Sequence, residues 1–425
     1  MTIAFLVAYA LLTVALLAVA VVNLRWMLDA WIHPEGVDER RFAHEPGNRP
    51  VHTISLVVPA RHEEAVLAET LERLARLDHP AYEVLAVVGH DDDGTRAVAE
   101  RLARLHPDRI HVVVDHNWPK NKPKALNTAL PVCHGEIVGV FDAEDEVAPD
   151  LLARIDAVFQ NTGADVVQGG VQLMNFRSRW FTLKNVLEYF FYFRSRLHLH
   201  ARQRFIPLGG NTVFFRRELL EQARGWDPEC LAEDCEIGVR LSCRGAVTVV
   251  AYEPALVTRE EAPTRLSDFM RQRTRWNQGF LQVLRKGEWR RLPTVGQRLR
   301  ALGILGMPFL QAVAAVALPL QLLSIWVLDV PVALALFSWV PLFVTTLTLA
   351  VELVGLHEFC RSFGLRARWT DYVRLAASWY AYFLLLAVAA ARATARELRG
   401  QKGWEKTAHV GAHRVPLDVT ERVAA

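Results

Sequence analysis

Three patterns of apolar residues follow one another along the chain. Residues 3–23 are almost wholly apolar and carry no charge. A bilayer core takes about 20 such residues as a helix, so the pattern predicts a transmembrane anchor within residues 1–27. No basic leader and no convincing cleavage site accompany it, which separates it from a signal peptide. From 51 to 300, short apolar runs alternate with helical spacing. Ile54–Ala60, Val84–Val88, Ile110–Val114, Ile137–Phe141 and Val166–Val171 read as buried strands. Leu67, Leu71, Leu74 and Leu77 recur at the interval of a helix face. From about 301, long apolar stretches return at 303–328, 331–354 and 375–391, before a polar, basic tail over 393–425.

Strands alternating with helices predict an α/β, Rossmann-like domain over 50–290, its mostly parallel sheet covered on both faces. Ligands of such sheets bind outside the carboxyl ends of the strands. Asp91–Asp93 and Asp142–Asp145 each lie just past a predicted strand end. Residues 181–206 mix aromatic side chains with Arg194, Arg196, His198, His200, Arg202 and Arg204. That mixture suits a helix lying on a membrane surface, and equally a helix packed on the domain core.

The 425 residues carry 49 basic and 46 acidic side chains, a balance that gives no argument for a nucleic-acid partner. The five cysteines, Cys133, Cys230, Cys235, Cys243 and Cys360, show no metal-ligand spacing and read as reduced thiols facing a cytosol. Arg25, Arg40 and Arg41 after the first apolar stretch predict a chain that enters the cytoplasm there. Three further crossings over 301–392 would leave the tail outside. Arg392, Arg396, Arg399, Lys402 and Lys406 ask for it inside, and Arg361, Arg366 and Arg368 ask the same of the preceding loop. One stretch must therefore fold back or lie in the interface, and Pro308 and Pro319 point to 303–328.

The candidate chemistry is acidic first and basic later. Asp142 and Glu144 stand two apart after a strand, so both carboxylates can face one cation. Read alone, the cluster could equally cap a helix. Glu233-Asp234 precede Ile237, Val239 and Leu241 at a helix start, where carboxylates are also favoured for purely local reasons. Arg273 and Arg275 can fork onto phosphate oxygens, Trp276 can stack on a sugar or base, and Lys122 and Lys124 add cations.

In order, the motifs are Pro59-Ala60-Arg61-His62-Glu63-Glu64, Asp91-Asp92-Asp93-Gly94-Thr95, Lys122 to Asn127 and Asp142-Ala143-Glu144-Asp145. Gly209-Gly210-Asn211-Thr212, Glu233-Asp234 and Gln272-Arg273-Thr274-Arg275-Trp276 follow. This order resembles the membrane-integrated family 2 glycosyltransferases of the cellulose-, chitin- and hyaluronan-synthase-like type, with their D-x-D and Q-x-x-R-W signatures. The resemblance implies a GT-A fold, a nucleotide-diphosphate sugar donor, expected to be a UDP-sugar, bound Mg²⁺ or Mn²⁺, and inversion at the anomeric carbon. It implies donor contacts from Glu63, Asp91, Asp92, Asp93 and Lys124, metal ligation by Asp142 and Glu144, and a general base at Asp234 beside Glu233. It has Gln272, Arg275 and Trp276 close the site, puts Arg273 on the diphosphate and puts the acceptor near Gly209–Thr212. The tail motif Gly403-Trp404-Glu405-Lys406-Thr407 resembles the group's bacterial members more loosely. Glu144 departs from the pattern, since the third position is most often Asp. The expected setting is a bacterial inner membrane with the catalytic domain cytoplasmic. The expected acceptor is a growing polysaccharide or a glycolipid, with a homo-oligomer or a secretion partner to complete a channel. The rivals are a polyprenyl-phosphate monosaccharide transferase and an inactive binding subunit of a secretion complex.

Overall fold

A computed structural model describes residues 3–34, 50–403, 405, 411 and 414. Arg40, Arg41, Trp404, Lys406 and Thr407, named above in the topology and tail motifs, lie outside the described residues. The chain opens with α1 (Ile3–Ile32). The α/β domain then runs β1 (Ile54–Ala60), α2 (Leu67–Ala75), β2 (Tyr82–Gly89), α3 (Asp93–Leu105), β3 (Ile110–Asp115), α4 (Lys122–Ala129), β4 (Ile137–Val140), α5 (Leu151–Thr162), β5 (Val166–Gly169) and β6 (Val171–Leu173). It continues through α6 (Thr182–Phe191), α7 (Leu197–Arg202), β7 (Val213–Arg216), α8 (Arg217–Ala223), α9 (Glu233–Cys243), β8 (Thr248–Ala251), β9 (Thr258–Glu260) and α10 (Leu266–Lys286). Three long helices close it: α11 (Val295–Val327), α12 (Val332–Ser362) and α13 (Trp369–Leu398).

Seven strands form the main sheet in the order β3-β2-β1-β4-β7-β5-β8, and only β7 runs against its neighbours. Leu56, Val58, Val84, Ala86 and Val88 pack on one face, while Val57, Leu85 and Val87 pack on the other. Covering both faces is why these strands read as unbroken apolar runs. The expected strand over Val166–Val171 is two strands. Gly169 ends β5, and β6 pairs instead with β9 in a small second sheet. β7 reverses direction, so its start lies beside the ends of the parallel strands. Thr212 accordingly donates its N–H to the Val140 carbonyl at 2.7 Å.

Helices α1, α11, α12 and α13 are each long and apolar enough to cross a membrane. α1 and α11 run antiparallel. The Tyr9 hydroxyl donates to the Gln321 carbonyl at 3.1 Å, and the Gln311 amide donates to Asn23 Oδ1 at 2.7 Å. The C-terminal part of α12 returns to the α/β domain, where Arg194 Nη1 donates to Glu358 Oε2 at 2.6 Å. α13 behaves differently. Its start is held by Arg177, whose Nη2 lies 2.7 Å from Asp371 Oδ2, and its end by Gln278, whose amide donates to Glu397 at 3.2 Å. Between these points Tyr382 packs on Phe269 of α10. Both ends of α13 therefore touch the α/β domain, and the helix runs beside α10. It packs also on α11, where the Tyr380 hydroxyl donates to the Ala315 carbonyl at 2.6 Å.

Candidate active site

The carboxyl ends of the parallel strands, the loop before β7, α9 and α10 surround one cavity of about 770 Å³. Its floor is acidic, lined by Asp142, Glu144, Glu233, Asp234 and Glu260. Asp142 leaves β4 directly, and its N–H donates to Asp145 Oδ2 at 2.8 Å. That bond turns Asp145 inward, where it accepts from the Asn211 amide at 3.0 Å. Burial, then the charges of Glu260, Asp142 and Glu144, hold the Asp145 carboxyl well above the usual range. Thr70 braces this loop from outside, its hydroxyl donating to the Ala143 carbonyl at 2.6 Å. Arg414, beyond α13, reaches the same hydroxyl and donates to the Val66 carbonyl at 2.7 Å.

Glu233 and Asp234 form the first turn of α9, and Cys235 N–H donates to Asp234 Oδ1 at 2.7 Å. Burial and the adjacent Asp234 charge push Glu233 up to about 7. Burial raises Asp234 as well, against the opposing pull of the Cys235 N–H, Lys122 and Arg275. The Lys122 ammonium bonds Asp142 and donates to the Gly210 carbonyl at 2.8 Å. A Cβ at Gly210 would lie 3.1 Å from Asp234 Oδ2, a tight contact that would push on that carboxylate. The floor is thus a group of carboxylates whose mutual repulsion is relieved by one ammonium. A divalent cation fits the same need, and Asp142 and Glu144 both present carboxylates to the cavity.

α10 carries Gln272, Arg273, Arg275 and Trp276 to the cavity wall. It docks on the segment before α9 at Gly279, where an added Cβ would meet Ala232 N at 2.6 Å. Leu231 N–H donates to Gln282 Oε1 at 2.9 Å in the same contact. Arg275 faces the acidic pair and lowers both carboxyls by its charge. Arg273 is committed elsewhere. It bonds Glu188, Asn185 and Tyr382, and its guanidinium carbon lies 4.9 Å from the Trp276 ring centroid.

The structure gathers Glu63, Asp142, Glu144, Glu233, Asp234, Gln272, Arg273, Arg275 and Trp276 around the cavity. Asp91, Asp92, Asp93 and Lys124 are not among its lining residues. Asp92 caps α3, accepting from Thr95 N at 3.2 Å and from His62 N at 2.6 Å. Asp91 pairs with Arg61, Asp93 pairs with Arg96, and Lys124 donates to the Trp118 and Pro119 carbonyls. Sequence reasoning missed Asp115 and Lys120, which line the cavity at the end of β3, together with Glu260 and Arg196. Asp115 had a readable signal, because it ends a parallel strand as Asp142 follows one.

Residues 50–279 match the family model described as Glycosyltransferase like family 2. The chain belongs to this glycosyltransferase family. Within it, the chain is 30% identical over 238 residues to the beta-monoglucosyldiacylglycerol synthase of Trichormus variabilis, covering 54% of this chain and 49% of that protein. It is 23% identical over 287 residues to the poly-beta-1,6-N-acetyl-D-glucosamine synthase of Staphylococcus epidermidis, covering 66% of each. The chain spans about half the length of the first of these relatives. Among solved structures, the mannosyltransferase PcManGT from Pyrobaculum calidifontis, in complex with GDP-Man and Mn²⁺, superposes with a TM-score of 0.58 at 21% identity. That match covers 93% of this chain and 99% of the other. Its mostly parallel sheet with flanking helices is the GT-A arrangement.

Proposed function

We propose that this glycosyltransferase moves a sugar, with inversion, from a nucleotide-diphosphate donor to a hydroxyl group of a membrane lipid. One observation carries the reading: the acidic floor and an apolar chamber belong to the same cavity. Its lining runs from Asp142 and Asp234 through Trp276 to Leu16 and Val19 of α1 and Pro319 and Leu322 of α11. A water-soluble acceptor has no use for such an upper chamber, whereas a lipid buries its chains there and presents its polar end to the floor. The relative named for a diacylglycerol glycoside supports the same class of acceptor.

In this reading the acceptor oxygen attacks the anomeric carbon while the bond from that carbon to the diphosphate oxygen breaks. Asp234 takes the hydroxyl proton, and the nucleoside diphosphate leaves with the bonding pair. Burial raises the proton affinity of the base. Asp142 and Glu144 would hold Mg²⁺ or Mn²⁺, which supplies positive charge to the leaving diphosphate. Lys122 and Arg275 add to that charge, while Arg273, bound to Glu188, positions Trp276. α1, α11 and α12 cross the bilayer. α13 lies at the interface beside α10, so the α/β domain and the basic tail share the cytoplasmic face.

The test is to incubate purified full chain, in vesicles doped with candidate lipids, with radiolabelled UDP- and GDP-sugars. The expected result is one labelled lipid per acceptor, lost when divalent ions are chelated. Label appearing only in a water-soluble polymer ladder would overturn the lipid assignment.

A further inference from the structure

Between the acidic floor and the membrane helices, one wall of the cavity is the π-turn Tyr192–Arg196. This turn is fastened to the end of α1, since the Ser195 hydroxyl donates to the Trp26 carbonyl at 2.8 Å and accepts from Ala30 N–H at 3.0 Å. Arg196 on the turn lies flat over the Trp26 indole, 3.7 Å from its centroid, and its Nε–H donates to His200 Nε2 at 3.1 Å. Its neighbours Arg194 and Arg202 pair with Glu358 and Asp29. Arg196 has no carboxylate partner among the described residues, and its two terminal nitrogens are left over while the residue lines the cavity. Burial pulls its guanidinium down to about 10, and the charges of the nearby Tyr192 and Glu188 only partly offset this. Such a group is costly to keep unless a ligand completes it. Placement says which ligand. The cavity that Arg196 lines is bounded also by Leu16, Val19 and Ala20 of α1 and by Asp234 and Cys235 of α9. An indole at this level is also where a bilayer's polar boundary is expected.

Resting on the reading that the acceptor is a membrane lipid, we propose that Arg196 binds the phosphodiester of an anionic glycerophospholipid whose headgroup hydroxyl receives the sugar. The phosphodiester forks onto the free guanidinium nitrogens, the acyl chains occupy the apolar chamber, and the headgroup hydroxyl faces Asp234. A phosphate monoester fits less well. It would bring a second negative charge beside Glu233 and Asp234, and as a nucleophile it would leave the base without a proton to take.

The experiment compares acceptors in phosphatidylcholine vesicles doped with phosphatidylglycerol, diacylglycerol or polyprenyl phosphate. Nucleoside diphosphate release and lipid products are read by mass spectrometry. Wild-type chain is expected to glycosylate phosphatidylglycerol in preference to the others. Arg196→Gln should raise the KM for that lipid about 10- to 100-fold, the range of a lost charge-assisted hydrogen bond, and more than it lowers kcat. Arg196→Lys should recover part of the loss. Transfer to diacylglycerol, with the same KM in wild type and both variants, would overturn the anion site and leave the lipid acceptor standing. Transfer to polyprenyl phosphate alone would overturn the hydroxyl-bearing phosphodiester. A water-soluble product with no labelled lipid would overturn this inference together with the reading beneath it. The wild-type comparison decides among these even where a variant fails to fold.

Discussion

The two halves of this molecule are sorted in opposite senses. In the α/β domain, Leu56, Val58, Val84 and Phe214 are buried, and acidic groups such as Asp142, Glu233 and Asp234 gather around the cavity. In the long helices the outer faces are apolar, with Leu320 at 60%, Phe343 at 65% and Trp326 at 82% exposure. Their shared interior holds polar contacts instead, such as Tyr9, Thr13 and Gln321. Each half has placed toward its surroundings what those surroundings solvate. The lesson is that a buried polar group means different things on the two sides. In the floor it lines the cavity; among the helices it is an adhesive between backbones.

That contrast can be broken most severely at Asp234. Asp234→Asn keeps the shape of the base and removes its proton affinity, so transfer should fall by about 10²–10⁴-fold with donor binding retained. Normal turnover by the purified variant would move the base elsewhere. A smaller effect is expected at the seam between α10 and α9. Gly279→Ala places a methyl against Ala232, a clash of the sort that costs about 1–3 kcal/mol. Displacing the Gln272–Trp276 face by even a fraction of an ångström should slow transfer up to about 10²-fold. Unaltered kcat would show that the seam has slack. The smallest effect belongs to the helices. Gln321→Leu removes the side-chain amide's bonds to the Tyr9 carbonyl and the Thr13 hydroxyl while leaving the Tyr9 hydroxyl on the backbone carbonyl, and thermal unfolding in lipid should register a loss of only about 0.6 kcal/mol, the average worth of such contacts. A large loss of transfer from this variant would mean that the interior polar pairs do more than join helices.

How much of this was legible depends on which half one reads. The parallel sheet was plain, because strands covered on both faces must be apolar throughout. Asp142, Glu144 and Glu233-Asp234 were legible as groups at element ends. Asp91–Asp93 looked alike in sequence, but a carboxylate after a strand can serve the cleft or the next helix, and Asp92 is taken up by the backbone of α3. Lys122 and Lys124 show the same limit. α4 begins at Lys122, so two positions along it point to nearly opposite sides, and only Lys122 meets Asp142. For the helical half, length was legible and direction was not. Apolar composition counts spans without saying where their ends go. Pairings such as Asp371 with Arg177 and Glu397 with Gln278 bring α13 back.

One brace carries a consequence for how the enzyme is made. The hydroxyl of Thr70 supports the Ala143 loop, and Arg414, 344 positions later, supports the hydroxyl. A ribosome finishes the α/β domain long before it reaches Arg414. Throughout synthesis of the three long C-terminal helices, the nascent protein therefore carries its acidic loop on an unfinished mount, and contacts this distant in sequence are slow to close. Translation must pass all three before the Asp142–Asp145 loop acquires this support.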